Sequence, residues 1–506
     1  MYRTVVHGPR AFDNDRYLAE QAEAILQRVS RFDKLYLEFG GKLLFDYHAA
    51  RVLPGFDPNV KMRMLQQIRD QAEILICIHA GDIERRKVRA DFGITYDSDT
   101  FKLIDDLREW ELLVRAVVIT RFQDQPAAIA FRDRLERRGI QVYLHRPIAD
   151  YAANVDRTVS DAGYGANPWI ATERPLVVVT APGPNSGKLG TCLSQVYHEH
   201  RRGNRAGYAK FETFPIWNLP LRHPVNAAYE AATADLGDVN VIDPFHLEAY
   251  GVAAVNYNRD VEAFPLLRRI LERISGDRSL YQSPTDMGVN RAGFAIIDDD
   301  AAREEIRRRY YRSACDHVSG NGSAEAVQRI ERLMQEHDID PEDRAVVREA
   351  RRAAEEAQAA GIKGHRGVFV GAAIQLPDGT RVTGRNSPVM HAASALVLNA
   401  AKRLAGLPDR LDLLSPSVME SIGTLKRQVY GGDSPSLSLD ETLIALSISA
   451  TTNPAAGLAM EQLPRLRGCE VHLTHIPGPG DEKALRRLGV NLTCVPSFET
   501  NKLFVS

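Results

Sequence analysis

An apolar strand followed by a glycine-rich turn and a helix start constrains this chain more than any other stretch. The stretch is Arg174-Pro-Leu-Val-Val-Val-Thr-Ala-Pro-Gly-Pro-Asn-Ser-Gly-Lys-Leu-Gly-Thr191. A buried strand fixes such a turn, small residues expose backbone N–H groups, and the helix N-terminus adds partial positive charge. Because Lys188 supplies a formal charge, the segment predicts an α/β protein that binds a phosphate or another anion here.

The turn departs from the standard phosphate loop, G-x-x-x-x-G-K-[ST]. Pro182 stands where the first glycine belongs, and Leu189 stands where the loop has its Mg²⁺-binding hydroxyl. The first turn of the helix offers a substitute hydroxyl. The predicted ligand-binding residues are Gly183, Asn185, Ser186, Gly187, Lys188 and Thr191. The ligand would be a nucleotide or a phosphorylated metabolite, with or without Mg²⁺; the alternative is a tight turn with a surface lysine.

Two polar segments follow this turn and offer catalytic side chains. Residues 210–226 form a long irregular stretch, which in a compact domain is usually functional or disordered. Asp243 follows an apolar strand, where an open α/β sheet has its ligand crevice. Asp243 could instead cap the helix that starts at Pro244. The predicted catalytic residues are Lys188, Glu212, Asp243 and His246.

The composition argues against several classes of protein. A net charge of −2 favours neither nucleic acid nor an anionic membrane as a partner. Five scattered cysteines without a C-x-x-C pair predict neither a disulfide framework nor a zinc ribbon. No signal peptide is recognisable, and no apolar run approaches the ~20 residues that span a bilayer. We therefore expect a cytoplasmic protein whose partners are a phosphorylated small molecule and further copies of itself.

Alternating strand and helix patterns divide the chain into four segments. Two N-terminal α/β units, Rossmann-like or P-loop-like, are predicted at 1–165 and 166–297, each with a largely parallel sheet. In the second, the pattern predicts strands at 176–180, 205–210 and 238–242 and a helix from Lys188 to Arg202. Charged residues at helical spacing predict a solvated helical connector or oligomerisation arm at 298–362. A C-terminal α/β domain is predicted at 363–506.

Several long strings resemble the bacterial family that carries the domain of unknown function 1846. They are Asn226-Ala-Ala-Tyr-Glu-Ala-Ala-Thr-Ala-Asp-Leu-Gly-Asp-Val-Asn240, Asp243-Pro-Phe-His-Leu-Glu-Ala-Tyr-Gly251, Asn256-Tyr-Asn-Arg-Asp260 and Ser283-Pro-Thr-Asp-Met-Gly288. The resemblance covers nearly the whole chain and implies no established activity. Some relatives are labelled ATP-dependent zinc proteases, but this chain has no H-E-x-x-H. The histidines of His198-Glu-His200 are two residues apart and face different sides of a helix.

The order of elements in the last segment is similar to the cytidine-deaminase-like fold. A zinc deaminase needs H-x-E on one helix and P-C-x-x-C on the next. Here Ala393 takes the glutamate position after His391, and Pro477-Gly-Pro-Gly480 has no cysteine. The resemblance therefore implies a zinc-free version that binds a ligand or only packs; an ordinary three-layer α/β domain is the alternative.

These observations leave more than one hypothesis for function. The first is a nucleotide- or phosphate-dependent transferase or ligase, in which Gly187 and Lys188 stabilise phosphate charge and Thr191 or Asp243 holds Mg²⁺. The second is a ligand-binding or scaffolding homo-oligomer without catalysis. The third is a zinc-free transferase centred on the C-terminal domain.

Overall fold

The computed structural model describes residues 11–41, 43–44, 46–53, 55–89, 93–151, 153–429 and 435–499. The strands are β1 Lys34–Phe39, β2 Ala72–His79, β3 Val88–Arg89, β4 Ile94–Thr95, β5 Val114–Thr120, β6 Gln141–Leu144, β7 Leu176–Thr180, β8 Ala206–Phe211, β9 Asn240–Ile242, β10 Val255–Tyr257, β11 Gly288–Val289, β12 Gly371–Gln375, β13 Arg381–Arg385, β14 Glu470–Leu473 and β15 Asn491–Cys494.

The helices of the first 300 residues flank these strands. They are α1 Asn14–Val29, α2 Tyr47–Val52, α3 Val60–Gln67, α4 Ala80–Glu84, α5 Tyr96–Glu109, α6 Pro126–Glu136, α7 Val155–Thr158, α8 Lys188–Arg201, α9 Pro224–Ala232, α10 Pro244–Tyr250, α11 Asn258–Ser275 and α12 Pro284–Met287. The later ones are α13 Asp300–Val318, α14 Ala324–Glu336, α15 Ala345–Ala360, α16 Ala392–Ala405, α17 Pro416–Gln428, α18 Leu439–Ser449, α19 Pro454–Glu461 and α20 Pro479–Leu488. No helix in the described ranges is long and apolar enough to cross a membrane.

The chain folds into two units. The N-terminal unit comprises residues 11–233 and 237–302, and the C-terminal unit comprises 234–236 and 303–499. The predicted α/β fold class is confirmed in both, because each unit is built on a sheet covered by helices.

The N-terminal unit is organised by a seven-stranded parallel sheet in the order β11-β8-β1-β7-β2-β5-β6. The middle strand β7 is buried along its whole length. Strands covered on both faces read as continuous apolar runs rather than alternating ones. The run Leu-Val-Val-Val-Thr of β7 fits that environment.

Strands from both segments predicted as separate units, 1–165 and 166–297, share this one sheet. Leu176 of β7 pairs with Leu35 of β1 on one side and with Ala72 of β2 on the other. The residues before and after position 165 therefore contribute to one hydrophobic core, which includes Leu75, Val177 and Tyr208.

The connections that leave β1 and β7 run in opposite directions across the sheet. From β1 the chain passes through α2 and α3 to β2, on the far side of β7. From β7 it passes through α8 to β8, on the far side of β1. Where neighbouring connections diverge in this way, a crevice opens at the carboxyl ends of the strands, and ligands bind there.

The C-terminal unit contains a four-stranded mixed sheet in the order β13-β12-β14-β15. Strand β12 is antiparallel to β13 and β14, and β15 is parallel to β14. A Cβ on Gly371 would lie 2.0 Å from the Ala350 carbonyl oxygen of α15, and one on Gly384 would lie 2.3 Å from the Leu396 nitrogen of α16. Since neighbouring strand positions face opposite sides and Gly384 pairs with Ala372, these helices cover opposite faces of the sheet.

This unit contains a buried ionic cluster, to which α13 and the start of α15 contribute. The sequence predicted both helices as part of a solvated connector. The guanidinium of Arg344, just before α15, is fully buried and hydrogen-bonds to Glu304, Glu470 and Thr493. Arg308 also pairs with Glu470, through contacts of 3.1 Å. Burial alone would raise the pKa of Glu470, but Arg308 and Arg344 outweigh it and hold that pKa below its usual value.

Candidate functional site

The glycine turn after β7 is held against the end of β5. Asn185 and Gly187 both adopt left-handed backbone, with φ of 57° and 84°. The Thr120 hydroxyl donates to the Ser186 carbonyl oxygen at 2.7 Å. A Cβ on Gly187 would lie 2.8 Å from Thr120 Oγ1 and 2.9 Å from its Cβ. Only glycine combines this φ with so close an approach, so the shape of the turn depends on this residue.

A cavity of about 510 Å³ opens beside the turn, at the carboxyl ends of the strands. The predicted ligand-binding residues Asn185, Ser186, Gly187, Lys188 and Thr191 all line it. Its remaining walls come from the ends of β1, β5 and β6 and from the segment 145–167. The cavity therefore occupies the crevice that the strand connections create.

The other predicted ligand residue, Gly183, faces away from this lining. A Cβ there would lie 2.6 Å from the ring of Tyr96 on α5. Thr191 is buried, and its hydroxyl accepts a hydrogen bond of 3.5 Å from the Cys77 thiol on β2. Gly183 thus lets the turn pack on α5, and Thr191 joins α8 to the sheet.

Two buried polar atoms, both on residues that line the cavity, have no hydrogen-bond partner among the described residues. They are the Ser186 hydroxyl and His145 Nε2. Their side chains are only about 4% exposed. An unmade hydrogen bond at a buried group costs about 1–3 kcal/mol, and most such groups in proteins are paired.

The charges around the cavity favour an anion beside the turn. Lys188, at the start of α8, is half-buried and forms no ion pair in the described part of the chain. Arg121 also lines the cavity and has a left-handed φ of 51°. Such strained backbone in a non-glycine residue is concentrated at functional sites. Glu38, at the end of β1, is the carboxylate of the lining and accepts a hydrogen bond of 2.9 Å from Tyr208.

Part of the cavity lining is aromatic and apolar. Tyr151 and Tyr164 join their hydroxyls at 3.2 Å and pack edge to face, with Ile148 also in the lining. Burial raises the pKa of Tyr151, so its hydroxyl stays neutral. The lining therefore combines positively charged groups with aromatic rings.

Glu212 lies next to the cavity rather than in it. Lys210 Nζ lies 2.5 Å from a Glu212 oxygen and 2.8 Å from one of Asp260. Burial raises the pKa of Glu212 to about 7, and Asp260 and Glu38 add to that rise against the opposing charge of Lys210. The catalytic role of Glu212 stays a prediction, because this residue does not line the cavity.

The structure does not bring Asp243 and His246 to this cavity. Asp243 is fully buried; one oxygen accepts from the Phe245 and His246 amides at the start of α10, and the other accepts from Thr285. The helix-cap alternative therefore accounts for this carboxylate. His246 Nδ1 lies 2.9 Å from the Ser283 hydroxyl and lines a different cavity.

Most of the lining was not predicted from the sequence, including the polar residues Glu38, Arg121 and His145. Each lies at or just beyond the end of an apolar strand, as the turn itself does. A search for polar residues at strand ends would have found them. Such a search would also find polar residues at the ends of other strands. The strand order is needed to choose among them, because only strands close together in the sheet can share a cavity.

The two histidine features noted in the sequence have separate roles. His198 and His200 contact different backbone oxygens, of Asn167 and Ala206. In the C-terminal unit, His391 Nδ1 lies 2.8 Å from Asp481. Burial lowers the pKa of His391, but the hydrogen bond and charge of Asp481 outweigh it and raise that pKa. This pair resembles the histidine–carboxylate pairs that enzymes use for proton transfer.

The stability of the N-terminal unit is expected to fall in acid because His145 is buried as a neutral group. Burial lowers its pKa from 6.5 to about 4. Between these values the unfolded chain binds a proton that the folded chain does not, so stability is present above pH 6.5 and is lost as the pH falls to 4. Between pH 7.5 and pH 4, the free energy of unfolding of the His145→Gln variant should fall by about 3 kcal/mol less than that of the wild type.

Urea denaturation at both pH values measures this difference. The exposed His317 provides the control, since His317→Gln should lose as much stability as the wild type. Equal losses in wild type and His145→Gln would show that His145 is not buried as a neutral group.

Comparison with known proteins agrees with the resemblance seen in the sequence. The family model "Domain of unknown function DUF1846, N-terminal" matches residues 10–338, and "Domain of unknown function DUF1846, C-terminal" matches residues 342–504. A UPF0371 protein of Clostridioides difficile (strain 630) is 54% identical over 499 residues, which cover 98% of this chain and 99% of the relative. One of Clostridium botulinum (strain Okra / Type B1) is 53% identical over 497 residues, covering 97% and 99%. The chain therefore belongs to the DUF1846 family, also named UPF0371.

Proposed function

We propose that this protein binds a phosphorylated ligand, a nucleotide or a phosphorylated metabolite, in the cavity beside the glycine turn. The observation that carries the proposal is the set of polar groups without partners on the residues that line this cavity. The Ser186 hydroxyl and His145 Nε2 lack partners among the described residues, and Lys188 lacks an ion pair there. Together with the backbone N–H groups at the start of α8, they would hold a phosphate, and Tyr151 would contact a ring.

We further propose that the ligand takes part in a transferase or ligase reaction. Glu38 lines the cavity, and its charge helps to raise the pKa of Glu212 to about 7. Mg²⁺ is commonly bound through one or two carboxylates together with substrate phosphates, and Glu38 is the carboxylate placed to do so. Glu212 would then hold or move the proton of the acceptor group.

A thermal-shift screen tests the proposal, using ATP, GTP, coenzyme A and phosphorylated metabolites with and without Mg²⁺. A stabilising ligand should protect residues 182–191 from hydrogen exchange. Lys188→Ala removes a charge-assisted hydrogen bond worth about 1.5–3 kcal/mol, so affinity should fall about 10- to 150-fold. Lys102→Ala, which breaks an exposed ion pair with Asp106 on α5, is the control and should bind as the wild type does.

Two results would overturn the proposal: no phosphorylated compound stabilises the wild type, or Lys188→Ala leaves the affinity unchanged. Binding without turnover would instead favour a ligand-binding protein without catalysis.

A second candidate function is a zinc-free transferase in the C-terminal unit. The contact of 2.8 Å between His391 and Asp481 supports it, because Asp481 orients the imidazole and raises its pKa against the effect of burial. In the same experiment, ligand protection near His391 and the start of α20 that persists in Lys188→Ala would favour this candidate. Protection confined to residues 182–191 would count against it.

A further inference from the structure

A second cavity, of about 490 Å³, lies in the N-terminal unit beside the edge strand β11. Its lining comes from α1, α12, the residues around β11, and single residues of α10 and the 210–226 segment. None of these residues lines the cavity beside the glycine turn. It is therefore a separate site, which the proposed function does not use.

The edge of β11 holds an arginine of α1 in this cavity. Gln21 of α1 donates to the Val289 carbonyl at 2.8 Å and accepts from the Arg291 amide at 2.7 Å. About two turns further along α1, Arg28 donates to the Gly288 carbonyl at 3.0 Å. A guanidinium has five N–H donors, so Arg28 keeps donors for another group while its position is fixed.

The lining carries more positive than negative charge. Arg28, Arg31 and Arg291 face one carboxylate, that of Asp286, which leaves a net charge of +2. Asp286 already accepts hydrogen bonds from the Tyr250 hydroxyl at 2.7 Å and the Gln282 amide at 3.0 Å. None of the three arginines forms an ion pair in the described part of the chain. Burial lowers the pKa of Arg28, and the charges of Arg31 and Arg291 add to this.

Fixed aromatic side chains lie beside the arginines. Trp217 and His246 both line the cavity, with ring centroids 6.1 Å apart. The Trp217 indole donates to the Asn290 carbonyl at 2.9 Å, and His246 contacts Ser283 at 2.9 Å. These hydrogen bonds hold both rings in place, so they present a preformed surface to a planar group.

We propose that this cavity is a second ligand site, which binds the phosphate group of a phosphorylated small molecule whose ring lies against Trp217 and His246. A phosphate dianion matches the net charge of the lining. One guanidinium group can also donate two parallel hydrogen bonds to two phosphate oxygens. In a transferase this site would hold a second substrate. It remains a binding site even if the cavity beside the glycine turn proves to bind nothing.

Calorimetric titration with pyrophosphate tests the site, with the full chain carrying Lys188→Ala so that binding at the glycine turn is weakened about 10- to 150-fold. This variant should still bind pyrophosphate. Adding Arg31→Gln or Arg28→Gln should weaken the binding about 10- to 150-fold. Arg31 is exposed and forms no side-chain contact in the described structure, so its replacement should leave folding intact. Arg108→Gln, an exposed arginine on α5, is the control and should change nothing.

The proposal is overturned if Lys188→Ala does not bind pyrophosphate, or if Arg31→Gln leaves that binding unchanged. The predicted contact between the ligand's ring and Trp217 is tested separately, with adenosine monophosphate and the Lys188→Ala protein. Trp217→Ala should weaken binding of the nucleotide at least several-fold more than binding of pyrophosphate. Equal effects on the two probes would show that no ring lies against Trp217.

Discussion

Replacing Arg344 by alanine is expected to lower the free energy of unfolding of the C-terminal unit by about 3–5 kcal/mol. Its guanidinium is fully buried and bonds to Glu304, Glu470 and Thr493. Removing one partner of a buried ion pair leaves the other as an uncompensated charge, which is more costly than the loss of the bond itself. Glu470 would keep only Arg308 as a cationic partner among the described residues.

Urea denaturation followed by hydrogen exchange in β14 and β15 measures this loss. Arg348, on the first turns of α15, forms an exposed ion pair with Asp343 at 2.8 Å, so Arg348→Ala should cost less than about 1 kcal/mol. If the two variants were equally stable, the buried cluster would not stabilise the unit. Arg344→Met combined with Glu470→Gln should recover part of the loss, since it removes both charges together.

Gly187→Ala is expected to abolish ligand protection of the glycine turn and to destabilise the N-terminal unit by about 2–4 kcal/mol. Two effects add: the φ of 84° is unfavourable for alanine, and the new Cβ would lie 2.8–2.9 Å from Thr120. The turn must move away from β5 to relieve the contact. The backbone N–H groups of the turn would then change position relative to the cavity.

Substitutions at two other glycines distinguish the cost of the positive φ from the cost of the contact with Thr120. Gly139 has a φ of 74° with nothing within 4 Å of its would-be Cβ, so Gly139→Ala reports the conformational cost alone, about 1 kcal/mol. Gly190 lies within α8, where the nearest atom would be 4.0 Å away, so Gly190→Ala should be neutral or stabilising. If Gly187→Ala is as stable as Gly139→Ala, the contact between the new Cβ and Thr120 costs nothing. If Gly187→Ala binds the ligand as the wild type does, the turn is not the binding site.

Local patterns predicted the elements around the glycine turn closely. The expected strand 176–180 is β7, and the helix expected from Lys188 to Arg202 is α8, Lys188–Arg201. An apolar run, a glycine and a helix start lie within a few residues of one another, so the sequence carries this information locally. The same holds for Asp243, whose alternative role as a helix cap follows from Pro244 beside it.

Features that depend on distant residues were not predictable in this way. β7 lies between β1 and β2 in the sheet. Local periodicity does not predict this order, because several strands are equally apolar. The contribution of Glu38 and His145 to the cavity depends on that order. Arg344 lies in a charged segment typical of solvated helices, and only its partner Glu470, more than a hundred residues away, explains its burial.

The place of β7 in the sheet also has a consequence for synthesis on the ribosome. β1 and β2 cannot complete their pairing until β7 has been made, and β7 begins about 100 residues after β2 ends. At ~5–20 residues per second, the nascent chain carries exposed strand edges for about 5–20 s. Residues 1–165 alone should therefore aggregate or require a chaperone, whereas co-expression with residues 166–302 supplies the missing strand and lets the fragments fold together.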